Sequence, residues 1–233
     1  MKIWNWWLQL LYPTTCVFCG KVLKEPVCSV CKEKVVYVEE PRCKVCGKPI
    51  RYMEEECCSD CKEQSHFFEQ GRSVWLHKGP VRWSIYQFKY HNRRIFAQYY
   101  AKELYRLHGK KLVDWEIDLI VPIPLHRRRK RRRGYNQSEL LAKQLSKLSG
   151  IPMNVNGVIR VKNTRPQKAL TGKERKKNMQ GAFRICDWGN APKNVLLIDD
   201  IYTTGNTLDA VAKLLQEKGS KVFFFTISIG QGF

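Results

Sequence analysis

With 233 residues the chain can bury one ordinary hydrophobic core and carry a small appendage. Its formal charge is +21, yet residues 1–65 hold 10 basic and 9 acidic side chains, so the excess lies almost wholly in residues 66–233. Nothing resembles an 18-residue apolar span or a secretory cleavage site, so the expectation is a cytoplasmic protein whose field attracts nucleic acid, phosphorylated small molecules or an acidic membrane surface.

The opening segment is unusually apolar, with Trp4, Trp6, Trp7, Leu8, Leu10 and Leu11, and can cover a neighbouring module or lie on a bilayer interface as a peripheral membrane contact. Next come four CxxC pairs, Cys16/Cys19, Cys28/Cys31, Cys43/Cys46 and Cys58/Cys61, with Cys57 adjacent. Each pair sets two thiolates on one tight turn, and two turns complete a tetrahedral zinc site that supplies stability where apolar surface is scarce. In a reducing compartment this spacing reads as metal rather than disulfide. Sequential pairing gives one ion to each half of the set and makes the zinc structural; a cross-braced pairing, or Cys57 in place of Cys58, satisfies the same spacing. Cys186, isolated near the other end, reads as a buried core residue. Two domains are expected, a zinc-ribbon domain at 1–65 and an α/β domain at 66–233.

In the second part SVWLH reads as a strand, followed by amphipathic helices near 79–90 and 94–107. Lys89, Tyr90, Arg93 and Arg94, with Trp83, Tyr86 and Phe88, can form a stacking and phosphate-binding surface for single strands, although aromatics at helical spacing are more often core. DLIVPIP, 118–124, reads as a buried strand stopped by its prolines. Seven consecutive cations, Arg127 to Arg133, then precede a helix beginning near Asn136 or Ser138 with Leu141, Leu145 and Leu148 on one face. As plain surface such a run repels itself. Between Arg160 and Phe183 the chain is basic and poor in apolar residues, with a helix-like piece opening at Thr171, and reads as a mobile flap.

The most informative stretch is VLLIDDIYTTGNT, 195–207. Val195 to Ile198 form the continuous apolar run of a strand buried on both faces, and Leu208, Val211, Ala212 and Leu215 follow at helical spacing. The turn between them therefore joins a strand's carboxyl end to a helix's amino end, where free N–H groups and the helix dipole favour a phosphate. Thr203, Thr204 and Thr207 add hydroxyl donors, and Gly205 lets the backbone approach. Asp199 and Asp200 suit the hydroxyls of a ribose, but they repel a bare polyphosphate, a repulsion that Mg²⁺ can offset. Two aspartates that merely end a strand and cap a helix are the plain alternative.

This string resembles the signature by which type I phosphoribosyltransferases bind phosphoribosyl pyrophosphate (PRPP). The resemblance implies a parallel sheet flanked by helices, with Asp199 and Asp200 holding the ribose in the catalytic centre. Tyr202, Thr203, Thr204, Gly205, Asn206 and Thr207 would wrap the 5-phosphate. Residues 122–134, including Pro124, Leu125 and Arg127, resemble the family's pyrophosphate loop in position, and the flap resembles the loop that closes over the substrate. Seven cations exceed the need of one pyrophosphate, so Arg128, Arg129, Arg131 and Arg132 are candidates for nucleic acid, with Lys89, Arg93 and Arg94. Zinc knuckles, then VPIPLHRRRKRRRGYNQ, RVKNTRPQKALTGKERKKNMQGAF and VLLIDDIYTTGNTLDA, together resemble the ComF family over nearly the whole chain. That family implies a role in natural DNA uptake, acting on incoming single-stranded DNA near a ComFA-type helicase. A working phosphoribosyltransferase of nucleotide salvage, releasing pyrophosphate, is the alternative, and a scaffold with an architectural pocket is a third. Only Gly230 to Phe233 follow the expected last strand, KVFFFTISI, so the expectation is that a base-recognising hood, if any, is supplied by the segment at 72–107 or by the zinc module, and the acceptor is undetermined. There is no Walker lysine motif or GxGxxG turn.

Overall fold

The computed structural model describes residues 14–164, 180–186, 188 and 191–231. The Trp-rich opening and most of the basic flap, with its expected helix at Thr171, lie outside the described residues. In chain order the elements are α1 (Ser29–Lys34), α2 (Ser59–Glu63), β1 (Gln70–Leu76), α3 (Gly79–Tyr90), α4 (Phe96–Asp114), β2 (Leu119–Pro122), α5 (Arg127–Arg133), α6 (Gln137–Ser149), β3 (Val158–Arg160), β4 (Phe183–Ile185), β5 (Asn194–Tyr202), α7 (Asn206–Gln216) and β6 (Lys221–Ile229).

Four strands make one parallel sheet in the order β1-β6-β5-β2, and β3 and β4 form a separate antiparallel hairpin. The centre, β5 and β6, is the most continuously apolar sequence in the chain, as a parallel sheet covered on both faces requires. Strand alternation then divides the core. Leu196, Ile198, Phe223 and Phe225 face one layer with α3, α4 and α6, which contributes Leu141 and Leu145. Val195, Leu197, Val222 and Phe224 face the other, where α7 contributes Leu208, Val211, Ala212 and Leu215 and the β3–β4 hairpin contributes Val158 and Phe183. Leu148, expected on the same face of α6 as Leu141 and Leu145, is 39% exposed in the last turn of the helix.

The two cysteine groups pack on opposite sides of this sheet. Cys16, Val17, Phe18 and Cys31 join the α3–α4 layer, whereas Cys43, Cys46 and Cys58 join the α7 layer. The chain between them runs antiparallel along the outer edge of β1: Tyr37 bridges Trp75, Val38 N–H donates to the Val74 carbonyl at 2.9 Å, and Leu76 N–H donates to that of Val36 at 2.9 Å. The cysteine module thus covers an edge whose unpaired backbone groups would otherwise invite another strand. Cys186, expected in the core, is exposed: it follows β4 at the rim of the hairpin, beyond the apolar layer.

Candidate ribose-phosphate crevice and zinc centres

The sulfur atoms of Cys16, Cys19, Cys28 and Cys31 lie within 4.8 Å of one another, and so do those of Cys43, Cys46, Cys58 and Cys61. Each is a four-thiolate set of the kind that closes around structural zinc, with no position left for substrate. The geometry selects sequential pairing and leaves Cys57 outside both sets. α1 and α2 each begin immediately after a ligand, at Cys28 and Cys58, so one knuckle of every site is a loop-to-helix turn.

At the carboxyl end of the sheet, β5 brings Asp199 and Asp200 against the start of α6 and the end of α3, a candidate crevice. The Ser138 hydroxyl donates to Asp199 Oδ1 at 3.0 Å, and the Asp200 N–H donates to the same oxygen at 2.9 Å. Burial, and then the neighbouring charge of Asp200, push the Asp199 carboxyl up to about 7, against the opposing pull of the Asp200 N–H, Lys89 and Ser138. Lys89, the penultimate residue of α3, places Nζ 2.8 Å from Asp200 Oδ1. Arg160, whose guanidinium feels the Asp199 charge, is brought down to about 10, chiefly by burial and then by Arg129.

The turn after β5 leaves Thr203 exposed and Thr204 and Thr207 partly exposed, with Asn206 Nδ2 donating to Thr204 Oγ1 at 3.1 Å. Gly205 caps α7 in the left-handed region, φ +76°, and a Cβ there would meet the Tyr202 hydroxyl at 2.9 Å and His66 at 3.3 Å. Tyr202 departs from its expected role: its ring is 1% exposed, stacked on Phe224 at 4.9 Å under the turn, so it supports the loop from the core instead of lining it. Behind the turn, Asp209 in the first turn of α7 accepts from Phe67 N–H at 3.0 Å and lies 2.6 Å from His66 Nδ1, fastening the chain that leaves the second cysteine set. A cavity of about 700 Å³ opens on the outer side of α7, bounded by Gln64, Phe67, Phe183, Asn206 and Lys213.

On the opposite lip, Pro124 and Leu125 lead into the basic run, which is a helix, α5, where the sequence suggested a loop. His126 caps it by accepting from Arg128 N–H at 3.3 Å, and Gly134 ends it at φ +79°. Mutual repulsion is relieved because the cations are spread around the turn and three of them are tied down, Lys130 by Glu139 at 2.9 Å. Arg129 donates to the Thr164 carbonyl at 2.6 Å, and Arg133 donates to Gln137 at 3.0 Å and to the Tyr90 hydroxyl at 3.2 Å. Arg127, Arg128, Arg131 and Arg132 remain exposed, as do Arg93 and Arg94. Three residues of the expected nucleic-acid set are therefore engaged within the protein: Lys89 with Asp200, Arg129 with Thr164, and Arg94 with the Asn92 side chain and the Tyr135 ring. Of the aromatics, Phe88 is core, whereas Tyr86 and Tyr90 are about half exposed with ring centres 5.0 Å apart, and the Arg133 guanidinium sits 4.9 Å over Tyr90.

Ser138, Arg160, His66 and Asp209 were missed as site residues. Arg160 lay at the flap boundary already read as basic, but nothing local marked the others, because their partners lie far away along the chain.

A parallel α/β sheet whose central strand ends in paired acids and a threonine–glycine turn, with a cation-rich segment after the neighbouring strand, defines a type I phosphoribosyltransferase-like domain, here joined to a Cys-rich module. Residues 7–62 match the double zinc ribbon domain family. The chain is similar to proteins named for competence and DNA utilization. It is 38% identical over 150 residues to competence protein F of Haemophilus influenzae, covering 60% of this chain and 63% of that protein. It is 33% identical over 144 residues to the DNA utilization protein YhgH of Escherichia coli, with 60% and 63% covered, and 31% identical over 170 residues to competence protein ComFC of Bacillus subtilis, with 70% and 65% covered. The chain thus spans a little under two thirds of the length of these relatives. Among solved structures, a hypoxanthine phosphoribosyltransferase from Staphylococcus aureus aligns at 18% identity over 57% of this chain and 62% of its own, with a TM-score of 0.36. The fold assignment rests on the topology and the turn themselves. Among the described residues no helix is long and apolar enough to cross a membrane.

Proposed function

We propose that the chain is a PRPP- or ribose-phosphate-binding competence protein that engages single-stranded DNA during DNA uptake. The observation that carries this reading is the crevice itself. Asp199 and Asp200 offer carboxylate oxygens for ribose hydroxyls, the 203–207 turn offers N–H groups and hydroxyls at the start of α7 for a 5-phosphate, and α5 supplies cations on the far lip for a diphosphate. Mg²⁺ enters only as the companion of a bound diphosphate. Beside the crevice, Tyr86, Tyr90 and Arg133 form a partly exposed stacking platform continuous with the exposed arginines of α5. Stacking plus backbone neutralisation suits a single strand without base-specific readout. The relatives' names, competence protein and DNA utilization protein, agree with this assignment. The proposed setting is the cytoplasm, where thiols stay reduced for zinc and where an incoming strand would meet a ComFA-type helicase. Peripheral membrane contact through the Trp-rich opening belongs to the same proposal.

A second reading, pyrophosphate-releasing transfer in nucleotide salvage, uses the same crevice. Holding the ribose while α5 stabilises the leaving diphosphate would supply positional and electrostatic catalysis. Pyrophosphate release with a panel of bases separates the two.

Calorimetric titration with PRPP·Mg²⁺ tests the crevice: the Asp199→Asn/Asp200→Asn protein is expected to lose binding while retaining its fold, and unchanged affinity would remove the assignment. Titration of a fluorescent oligonucleotide at two salt concentrations tests the platform. Replacing Arg128, Arg131 and Arg132 with Ala is expected to lower the salt slope by about 2.

A further inference from the structure

Twin acids ahead of a phosphate turn would ordinarily be assigned a divalent cation. One oxygen of each carboxylate is already committed to the protein. Asp199 Oδ1 already accepts from Ser138 Oγ and from the Asp200 N–H, and Asp200 Oδ1 is held by Lys89 Nζ at 2.8 Å. The Lys89 and Asp200 side chains are only 18% and 13% exposed, so the pair is sheltered from water and salt.

The lysine is firmly placed. Its neighbour Phe88 is fully buried, Tyr135 donates its hydroxyl to the Phe88 carbonyl, and Gln137 Nε2 donates to the Lys89 carbonyl at 3.4 Å. The last turn of α3 is thereby bonded to the start of α6, the same region that supplies Ser138 to Asp199. A magnesium ion demands near-octahedral oxygen ligands at about 2.1 Å. A dication at Asp200 would either displace Lys89 from Oδ1 or sit on Oδ2 beside a sheltered ammonium, and both are electrostatically unfavourable. The donor set does not fit a resident metal.

We propose that Lys89 is the built-in counter-cation of the acid pair, so that a 5-phosphorylated ribose binds at Asp199 and Asp200 without a divalent metal. This rests on the ribose-phosphate reading above. Lys89 is a positioning residue: it neutralises Asp200 and fixes its rotamer, leaving Oδ2 for a ribose hydroxyl. Arg129 and Arg160 add fixed positive charge on the neighbouring wall, so an anionic sugar phosphate meets a crevice that is already compensated.

The test is calorimetric titration of the zinc-loaded full chain with ribose 5-phosphate, in Mg²⁺-free buffer and in excess Mg²⁺, without chelator so that the zinc remains. Ribose 5-phosphate carries no diphosphate and so brings no metal requirement of its own. The wild type is expected to bind equally in both buffers. Lys89→Met is expected to bind about tenfold more weakly without Mg²⁺, and to recover with it, whereas Lys89→Arg retains metal-free binding. Equal zinc content and melting temperature establish that the variants are folded. Wild-type binding that requires Mg²⁺, or a Lys89→Met protein indistinguishable from wild type, overturns the inference and leaves the crevice assignment standing. Absence of binding in both buffers overturns both.

Discussion

Replacing Asp199 with Asn is expected to stabilise the protein at neutral and alkaline pH while removing its sugar-phosphate affinity. The folded state raises the Asp199 carboxyl from 3.8 to about 7, through burial and then the charge of Asp200. Between those values the native protein retains a proton that the unfolded chain has released, so stability falls as pH rises through the window. At 1.36 kcal/mol per decade, the ceiling on that loss is about 4 kcal/mol. An edge of the residue reaches water, which screens part of the cost, so about 2–3 kcal/mol is expected above pH 8. Asn imitates the protonated acid: its Oδ1 can still accept from Ser138 and from the Asp200 N–H, and its amide can face the Asp200 carboxylate without repulsion. Urea unfolding of both proteins at pH 5 and pH 8 measures the effect. The variant should gain about 2–3 kcal/mol at pH 8 and about 1 kcal/mol at pH 5, which already lies inside the window, and lose most of the wild type's decline between them. A variant less stable at pH 8, or one with the same decline, would refute the argument that a strained carboxylate is maintained here for a ligand.

Two further outcomes concern how the cysteine module holds the sheet. Asp209→Ala removes the acceptor for Phe67 N–H and the partner of His66, and is expected to cost about 2–4 kcal/mol, with faster hydrogen exchange at residues 64–68 and weaker sugar-phosphate binding, because His66 abuts Gly205. Gly71→Ala puts a Cβ about 2.0 Å from the Phe224 ring across the β1–β6 pair, beside the Gly71 N–H that bonds the Val45 carbonyl of the second ribbon. Overpacking at this junction should cost about 1–3 kcal/mol in a urea titration; a change under about 0.5 kcal/mol would show that the ring moves freely.

Much of the architecture was legible because it is local. The strand–turn–helix of 195–215 carries its own periodicity and its own breakers, and a CxxC pair needs only four residues to make half a metal site. The same locality explains where the reading departed from the structure. Arg127 to Arg133 looked like a loop because seven like charges disfavour an isolated helix, but His126 and Gly134 cap it and Thr164, Gln137 and Tyr90 hold its arginines. Tyr202 looked like part of the phosphate turn because it is next to it in sequence, whereas strand alternation turns its ring into the core. Lys89 looked like a free cation because its partner, on β5, lies more than a hundred residues further along the chain.

The sequence by itself determined the presence of a zinc ribbon, a parallel α/β sheet and a threonine–glycine turn after paired acids, since each depends on residue spacings shorter than about twenty positions. The tertiary structure alone decided that the two cysteine sets grip opposite faces of the sheet at β1, that His66 meets Asp209, and that Lys89 neutralises Asp200. Those contacts join segments more than a hundred residues apart or depend on which face a side chain takes. Such choices are settled by burying both faces of one sheet at once, a condition that no short window of sequence contains.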